Sequence, residues 1–405
     1  MTSTVRALAL CRARASLIAL AWLSTGCASP VASGDGERRL TLWRGQVASH
    51  IGFGSLQFHG APVVLADSTV VLTAAESIFV FDARTGRLRW RRRLPFLARS
   101  HGLVADGTRG LTVVGETGAA RIETDSGKIT VTWQGDGADR AFAPIPIAGG
   151  GIAVIRRKGT ILRFDRDGRF VGEDTFVAAA LSAGEGVRAR AVRGDTVFLL
   201  TTEDSPRGPR WQISRLRTVD LAARRIVATS QDPSDSLHIS FDAVLADSLL
   251  IFPSSGEEGG WIAWRTRDGT RAWTVRTELP FVGPTSRPVL RGDTLWLGGS
   301  DNRVYRVHAP TGRVEARSPA RLTAPVSQVA VCAAYVLAST STEDVVPLDR
   351  RTLARLGRAP RDLDGFASHH AVETPFAKFE NTVIAQNDNG TVAAYRCDDP
   401  IVGGR

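Results

Sequence analysis

The chain repeats a two-part phrase about eight times, at a period of roughly 40–50 residues. The first part is an apolar run, a tight polar turn and a second apolar run, as in VVLADSTVVL from Val63, RAVRGDTVFL from Arg190, AVLADSLLIF from Ala243 and PVLRGDTLWL from Pro288. The second part places a Gly-containing turn between two strand-like runs, as in IFVFDARTGRLRW from Ile78 and VYRVHAPTGRVEA from Val304. Self-similarity at this period, with four short strands per copy, is typical of the blades of a β-propeller.

The polar turns indicate the number of blades. The turn between the first two strands of each repeat falls at Asp67, Asp106, Gly149, Asp195, Asp247, Asp293, Ala333 and Asn381. Asp and Gly suit these positions because a tight hairpin needs positive φ or a side chain that bonds the backbone. The sequence therefore predicts an all-β, eight-bladed propeller, or seven blades if the weak second or seventh repeat is not a blade.

The last repeat predicts how the ring closes. It stops after its third strand, at Cys397, whereas the domain begins with an unpaired strand-like run, Leu40–Arg44. Pairing this first strand with the last blade removes the open sheet edges. We expect the propeller to span residues 39–400, with a short tail at 401–405.

The N-terminal residues predict a route to the membrane. Residues 1–26 combine three arginines, an apolar run at 15–23 and a small-residue stretch before Cys27. This resembles a bacterial lipoprotein signal peptide, which implies cleavage before Cys27 and lipid attachment to that cysteine; residues 27–38 then form a flexible tether. Ala28 follows the cysteine, and by resemblance to proteobacterial lipoproteins this favours the outer membrane, facing the periplasm. The alternative is a secreted protein cleaved by an ordinary signal peptidase near Ala28.

Two cysteines remain in the propeller itself. Cys332 lies in the first strand pair of the seventh repeat and Cys397 at the end of the third strand of the eighth, so adjacent blades can bring them together. In an oxidising compartment such a pair is expected to form a disulfide. Two separate buried thiols are the alternative.

The charge of the chain is basic but dispersed. The formal net charge is +10, and the basic residues are nearly all arginine, scattered along the whole length. A nucleic-acid-binding protein would concentrate them on one segment or face, so no nucleic-acid partner is expected. The dispersed arginines fit a solvated propeller rim, and attraction to anionic lipid headgroups is the remaining option.

The turn phrase from Asp82 to Trp90 resembles the repeat of the quinoprotein-type, or PQQ-like, propellers. In that family an outer-strand Trp four residues after the turn Gly packs between blades; Trp90 and Trp273 occupy this position here. Together with the leader and the blade count, the repeat resembles most the BamB family of outer-membrane β-barrel assembly lipoproteins. That resemblance implies a partner among the β-barrel assembly subunits, bound through a loop that corresponds to Ala180, Leu181, Ser182, Ala183, Gly184 and Glu185. The loop lacks the arginine of the family.

Catalytic motifs are not evident in the sequence. Asp301, Asn302, Asp388 and Asn389 lie in Asp-Asn turns, which turn chemistry explains without a metal, and no cofactor or catalytic residue is assigned. The predicted function is a non-catalytic, membrane-anchored scaffold that binds other cell-envelope proteins, with two insertions, Asp204–Arg210 and Gln231–Ser236, as further candidate binding loops. A PQQ-dependent oxidoreductase and a sugar- or peptide-binding surface propeller are the alternatives.

Overall fold

Eight antiparallel β-sheets follow one another along the chain. They are seen in a computed structural model that describes residues 40–47, 62–74, 76–96, 98–105, 110–115, 117–135, 137, 139, 141–206, 212–231, 238–239, 243–255, 259–278, 286–340, 345–356, 376–386 and 390–397. Each sheet is one blade, numbered here 1 to 8 in chain order. The leader, Cys27, the tether and the tail lie outside the described residues, as do most of the two insertions and the turn at Asp106.

The first four blades are built from consecutive strands. Strand β1 (Thr41–Gln46) precedes them and belongs to blade 8. Blade 1 contains β2 (Val63–Val64), β3 (Thr69–Ala74), β4 (Ser77–Asp82) and β5 (Leu88–Arg93). Blade 2 contains β6 (Ala98–Ala105), β7 (Gly110–Gly115), β8 (Gly118–Glu123) and β9 (Ile129–Gln134). Blade 3 contains β10 (Ile145–Pro146), β11 (Ile152–Ile155), β12 (Ile161–Phe164) and β13 (Phe170–Asp174). Blade 4 contains β14 (Gly186–Arg193), β15 (Thr196–Asp204), β16 (Gln212–Asp220) and β17 (Arg225–Gln231).

The remaining blades complete the ring. Blade 5 contains β18 (His238–Ile239), β19 (Val244–Ala246), β20 (Leu249–Ser255), β21 (Gly260–Arg265) and β22 (Arg271–Arg276). Blade 6 contains β23 (Val289–Arg291), β24 (Thr294–Gly298), β25 (Val304–His308) and β26 (Arg313–Arg317). Blade 7 contains β27 (Val326–Val331), β28 (Tyr335–Thr340) and β29 (Val346–Asp349). Blade 8 contains β30 (Ala377–Phe379), β31 (Thr382–Gln386) and β32 (Thr391–Arg396). Short 3₁₀ turns occupy Ala148–Gly150 and Ala178–Ala180.

The ring closes as the sequence predicts. Strand β1 pairs antiparallel with β32, with Thr41 opposite Tyr395 and Gln46 opposite Thr391. It becomes the outer strand of blade 8, which β30, β31 and β32 alone leave incomplete. The prediction of eight blades is therefore confirmed, and the seven-bladed alternative is wrong.

The hydrophobic core lies between neighbouring blades. Val71 and Ile78 of blade 1, for example, pack in one cluster with Leu111 and Val113 of blade 2. Because both faces of a blade are covered in this way, the middle strands read as continuous apolar runs, and every residue of β3 and β28 is buried.

An outer-strand tryptophan fastens one blade to the next at three places in the described part of the chain. Its indole N–H donates to a backbone carbonyl three residues before the turn glycine of the next blade: Trp43 to Ala83 at 2.9 Å, Trp90 to Thr124 at 2.8 Å and Trp273 to Ala309 at 2.9 Å. The ring also lies against that glycine, since a Cβ atom on Gly86 would come within 2.5 Å of Trp43. The inter-blade role expected for Trp90 and Trp273 is confirmed, and Trp43 joins them.

The turn of blade 7 keeps its geometry without glycine. The sequence makes it look degraded, yet the Leu353 N–H donates to the Asp349 carbonyl at 2.8 Å, and the Asp349 carboxylate accepts from the Thr352 N–H at 2.7 Å. Leu353 adopts the positive φ of 58° that glycine takes elsewhere. Burial of its side chain against blade 6 offsets the backbone strain, since Leu353 is fully buried among blade 6 and 7 residues.

A disulfide joins the last two blades. Cys332 and Cys397 are bonded, with Cα atoms 4.9 Å apart. Cys332 follows β27 and Cys397 follows β32, so the bond ties the inner hairpin of blade 7 to the end of blade 8. Beside it, the Tyr335 hydroxyl donates to the Arg396 carbonyl.

Replacing Gly86 by alanine tests the inter-blade contact. Gly86 has a φ of 69° and no room for a Cβ atom beside Trp43. We expect a loss of about 2–4 kcal/mol of unfolding free energy, from left-handed strain and overpacking together. The matched control is Gly194→Ala, where φ is 57° and nothing lies within 4 Å; strain alone predicts about 1 kcal/mol. Equal losses in the two variants, measured by chemical denaturation, contradict the packing role.

Reduction tests the disulfide. The bond closes a loop with a sequence separation of 65 residues, and loop-closure entropy predicts that reduction costs about 4 kcal/mol. Denaturant midpoints measured with and without a thiol reductant check this. The denaturant midpoint of the Cys332→Ser/Cys397→Ser double variant should equal that of the reduced protein and should not change with the reductant. If the reductant still lowers the midpoint of the double variant, loss of this disulfide is not the cause.

Candidate partner-binding surface

The loop predicted to bind a partner connects blade 3 to blade 4, running from β13 to β14. It begins with the 3₁₀ turn Ala178–Ala180, where the Ala180 N–H donates to the Val177 carbonyl at 2.9 Å. Val177 is buried and Leu181 is partly buried against the same cluster, so the first half of the loop is packed down. Ser182, Ala183 and Gly184 then face solvent, and Gly184 supplies a φ of 84° that reverses the chain.

Glu185 points into the protein and holds the loop in place. Its side chain has no exposed surface. The carboxylate accepts hydrogen bonds from the Ser182 N–H at 2.9 Å and from the Thr201 hydroxyl. Arg217 Nη2 donates to both carboxylate oxygens, each at 2.9 Å. Arg215 lies 3.5 Å away and also pairs with Glu203. The end of the loop is therefore pinned to β15 and β16 of blade 4.

This network sets the protonation state of Glu185. Burial raises the pKa of a carboxyl group, but the bonds from Thr201, the Ser182 backbone and Arg217 outweigh it and hold the pKa of Glu185 below its ordinary value of 4.5. The loop is thus fastened by a charged carboxylate throughout the neutral range. The sequence analysis grouped Glu185 with the residues of the partner-binding loop, whereas its buried side chain in the structure holds that loop in position.

A cleft of about 460 Å³ opens beside the loop, lined by Asp139, Arg157, Lys158, Gly184, Glu185, Gly186 and Arg188. Its residues come from four places: the connection from blade 2 to blade 3, the turn between β11 and β12, the end of the loop, and the start of β14. The Val187 N–H donates to the Arg157 carbonyl at 2.7 Å, which joins the turn to the loop. Cleft and loop are thus parts of one surface.

The cleft presents uncompensated positive charge. Its two carboxylates are engaged, since Asp139 accepts from the Lys158 N–H at 3.1 Å and lies 3.7 Å from Arg156, while Glu185 binds Arg217. The Arg157 and Lys158 side chains have no hydrogen-bond or ion-pair partner among the described residues. Such a site suits an anionic group.

Arg188 lies at the inner side of the same cleft. Its Nε donates to the Thr202 hydroxyl at 2.8 Å. Burial first, and then the positive charge of Arg157, lower the pKa of Arg188 below its ordinary value. The contribution of Arg157 reflects two positive charges close together in the cleft, and Asp204 partly offsets it.

Other candidate residues of the sequence analysis have structural roles. Asp301 is buried and accepts from the Glu278 N–H at 2.9 Å and from the Tyr305 hydroxyl, while Asn302 takes a turn conformation with a φ of 64°. Asp388 and Asn389 lie outside the described residues. Within the part of the chain that the structure describes, no three or more His, Cys, Asp or Glu side chains are grouped to hold a metal ion. Nor does any described helix have the length and apolarity to cross a membrane.

A ring of eight blades, six of them four-stranded, with tryptophan docking between outer strand and turn, defines a quinoprotein-type propeller repeat protein. The sequence matches the family described as outer membrane protein assembly factor BamB over residues 31–275 and again over 157–399, so the chain belongs to that family. No curated protein matches it.

Solved structures share the fold at low sequence identity. BamB from Moraxella catarrhalis is 15% identical, with a TM-score of 0.58, and the match covers 88% of this chain and 99% of that one. The computationally designed protein Ika8 is 14% identical, with a TM-score of 0.61, over 87% of this chain and 100% of that one. The PQQ-like resemblance and the propeller architecture predicted from the sequence are both confirmed.

Replacing Glu185 by glutamine tests the loop anchor. The variant leaves Arg217 buried without its counter-charge, and removing one partner of a buried pair costs about 3–5 kcal/mol. Chemical denaturation at neutral pH measures this loss. The control is Glu173→Gln, an exposed carboxylate on β13, which should change stability by less than about 0.5 kcal/mol.

The same variant predicts a pH dependence. The folded-state pKa of Glu185 is depressed, so its stabilisation is present above the unfolded value of 4.5 and is lost as pH falls through the lower folded value. The stability gap between the wild type and Glu185→Gln should therefore narrow in acid. A gap that stays constant from neutral to strongly acidic pH contradicts the assignment.

Proposed function

We propose that this protein is a non-catalytic, lipid-anchored scaffold that binds another cell-envelope protein during β-barrel assembly in the outer membrane. Membership of the BamB family supports the assembly role. The lipoprotein-like leader supports anchoring through Cys27 on the periplasmic side. Propeller proteins carry their functions in loops on a rigid disc, so the choice of surface decides the partner.

The observation that carries the proposal is the loop 180–185 itself. A buried carboxylate with two arginines and a hydroxyl group fixes the shape of a surface segment. Buried ion pairs add little net stability compared with apolar packing, so a specific loop shape is what this network provides. A preorganised loop reduces the entropy lost on binding.

The cleft supports a partner with an acidic side chain. Ser182, Ala183 and Gly184 are small and exposed, so a partner backbone can approach the loop closely. Arg157 and Lys158 lie alongside and can receive a carboxylate, Arg157 in a bidentate arrangement. The docking surface that we propose therefore comprises residues 180–184, Arg157, Lys158 and Arg188.

Affinity capture of the protein from native envelope membranes, with mass spectrometry of the co-purified proteins, tests the role. We expect a β-barrel assembly subunit. Ala183→Glu should reduce its recovery at least tenfold, because it adds bulk and a charge that repels an acidic partner. The control is Ala222→Glu, which changes an exposed alanine in the turn between β16 and β17 of blade 4.

Charge removal tests the chemistry of the contact. The double variant Arg157→Gln/Lys158→Gln should weaken capture and reduce its salt dependence, since exposed charge pairs are screened by salt. If Ala183→Glu, the double variant and the wild type all recover the same amount of the subunit, this surface is not the binding site. If no barrel-assembly protein is recovered with the wild type, the assembly role itself falls.

A further inference from the structure

The outer edge of blade 1 carries a concentration of arginine found on no other outer strand in the described part of the chain. Strand β5 reads LRWRRR, with four arginines in six residues. The other outer strands carry at most two, and β9 and β13 carry none. Charged side chains commonly protect an edge strand from pairing with another chain. Strand β5 carries twice as many arginines as any other described outer strand.

Several of these cations have no acidic partner. Arg89 and Arg93 are paired with Asp82 and Glu76. Arg87, Arg91 and Arg92 are exposed, and none has a carboxylate partner among the described residues. We call Arg87, Arg89, Arg91, Arg92 and Arg93 the arginine edge.

Aromatic rings position two of the guanidinium groups that have no carboxylate partner. Arg91 lies 5.1 Å from the centre of the Phe79 ring, and Arg92 lies 5.9 Å from that of Trp90. Each donates one hydrogen bond within the protein, Arg91 to the Ser77 hydroxyl at 3.3 Å and Arg92 to the Arg91 carbonyl at 3.0 Å. A guanidinium group has five N–H donors, so others remain for an outside acceptor. The planar guanidinium group matches phosphate oxygens in a bidentate arrangement.

The arginine edge adjoins the strand by which the N-terminal segment enters the domain. Trp43 of β1 stacks on Phe81 of blade 1 and bonds the Ala83 carbonyl. Arg84 of blade 1 pairs with Glu380 of blade 8 at 2.7 Å. Strands β1 and β5 are therefore neighbouring outer strands.

The length of the N-terminal segment allows this edge to reach a membrane. Twelve residues separate Cys27 from Leu40, which limits their span to about 45 Å even when fully extended. If Cys27 carries the lipid, Leu40 stays within that distance of the bilayer. The arginine edge, next to the strand that Leu40 begins, is then within reach of the lipid phosphates.

We propose that the arginine edge rests on an anionic lipid surface, with guanidinium groups on lipid phosphates. The proposal rests on the lipid anchoring included in the proposed function. Each arginine near an anionic membrane strengthens binding by about fivefold. The edge thus orients the disc with blades 8 and 1 toward the membrane.

Arginine footprinting tests the orientation. The lipidated protein is incorporated into vesicles of phosphatidylcholine alone, or of phosphatidylcholine with phosphatidylglycerol, and treated with phenylglyoxal before mass spectrometry. We expect the modification rate of Arg87, Arg91 and Arg92 to fall at least tenfold in the anionic vesicles. The exposed arginines Arg166, Arg169 and Arg193 of blades 3 and 4 serve as internal controls whose rates should not change.

A matched pair of variants separates the edge from overall charge. In Arg87→Gln/Arg91→Gln/Arg92→Gln, protection of Arg89 and Arg93 by anionic vesicles should disappear. In Arg166→Gln/Arg169→Gln/Arg193→Gln, which loses the same charge, it should persist. Equal modification rates in the two vesicle types, or protection that survives the edge variant, overturn the proposal.

The anchor and the assembly role have separate readouts. Flotation of the protein with phosphatidylcholine vesicles reports the lipid on Cys27, independently of the arginine edge. Capture of an assembly subunit reports the partner, independently of both. If the protein floats with the vesicles but its edge arginines are not protected, the proposal for the arginine edge is wrong and the proposed function is unaffected.

Discussion

The pairing of β1 with β32 is the constraint on which the propeller depends. Each blade buries its faces only against two neighbours, so an open ring would expose the apolar sides of blades 1 and 8 together with the edge of β32. The first strand removes both defects at once, because it completes blade 8 and places Trp43 against blade 1. Closure therefore also brings together Leu40 and Arg396, near the first and last residues that the structure describes.

Each tryptophan joins two neighbouring blades in two ways, by packing and by a hydrogen bond. The indole fills the space that a turn glycine leaves, and its N–H satisfies a carbonyl that the turn cannot. Where the tryptophan is missing, the ring still holds through apolar clusters, as between blades 6 and 7. The repeat can thus lose individual signature residues without losing the fold, which explains its degenerate appearance.

Periodicity predicted the architecture because the turns are local. Asp67, Asp247 and Asp293 mark hairpins that depend on their own neighbours, and the closing strand followed from one repeat being short. Glu185 was beyond this reasoning, since its partner Arg217 lies 32 residues away and nothing in the repeat links them. The blade 7 turn was also beyond this reasoning, because the buried Leu353 adopts a backbone conformation that usually requires glycine. Features that recur in every repeat could be predicted, whereas the pairing of Glu185 with Arg217, which no repeat pattern encodes, could not.

The disulfide lies close to the point where the chain enters the ring. The Arg396 N–H donates to the Leu40 carbonyl at 2.8 Å, and the next residue, Cys397, is bonded to Cys332 of blade 7. If Cys27 carries the proposed lipid, a pull on that anchor reaches the propeller at Leu40 and loads the β1–β32 hydrogen bonds. The disulfide does not cross this strand pair, but it bonds the end of β32 to blade 7. A load on β1 is therefore resisted by a partner strand that is itself covalently fixed to the neighbouring blade.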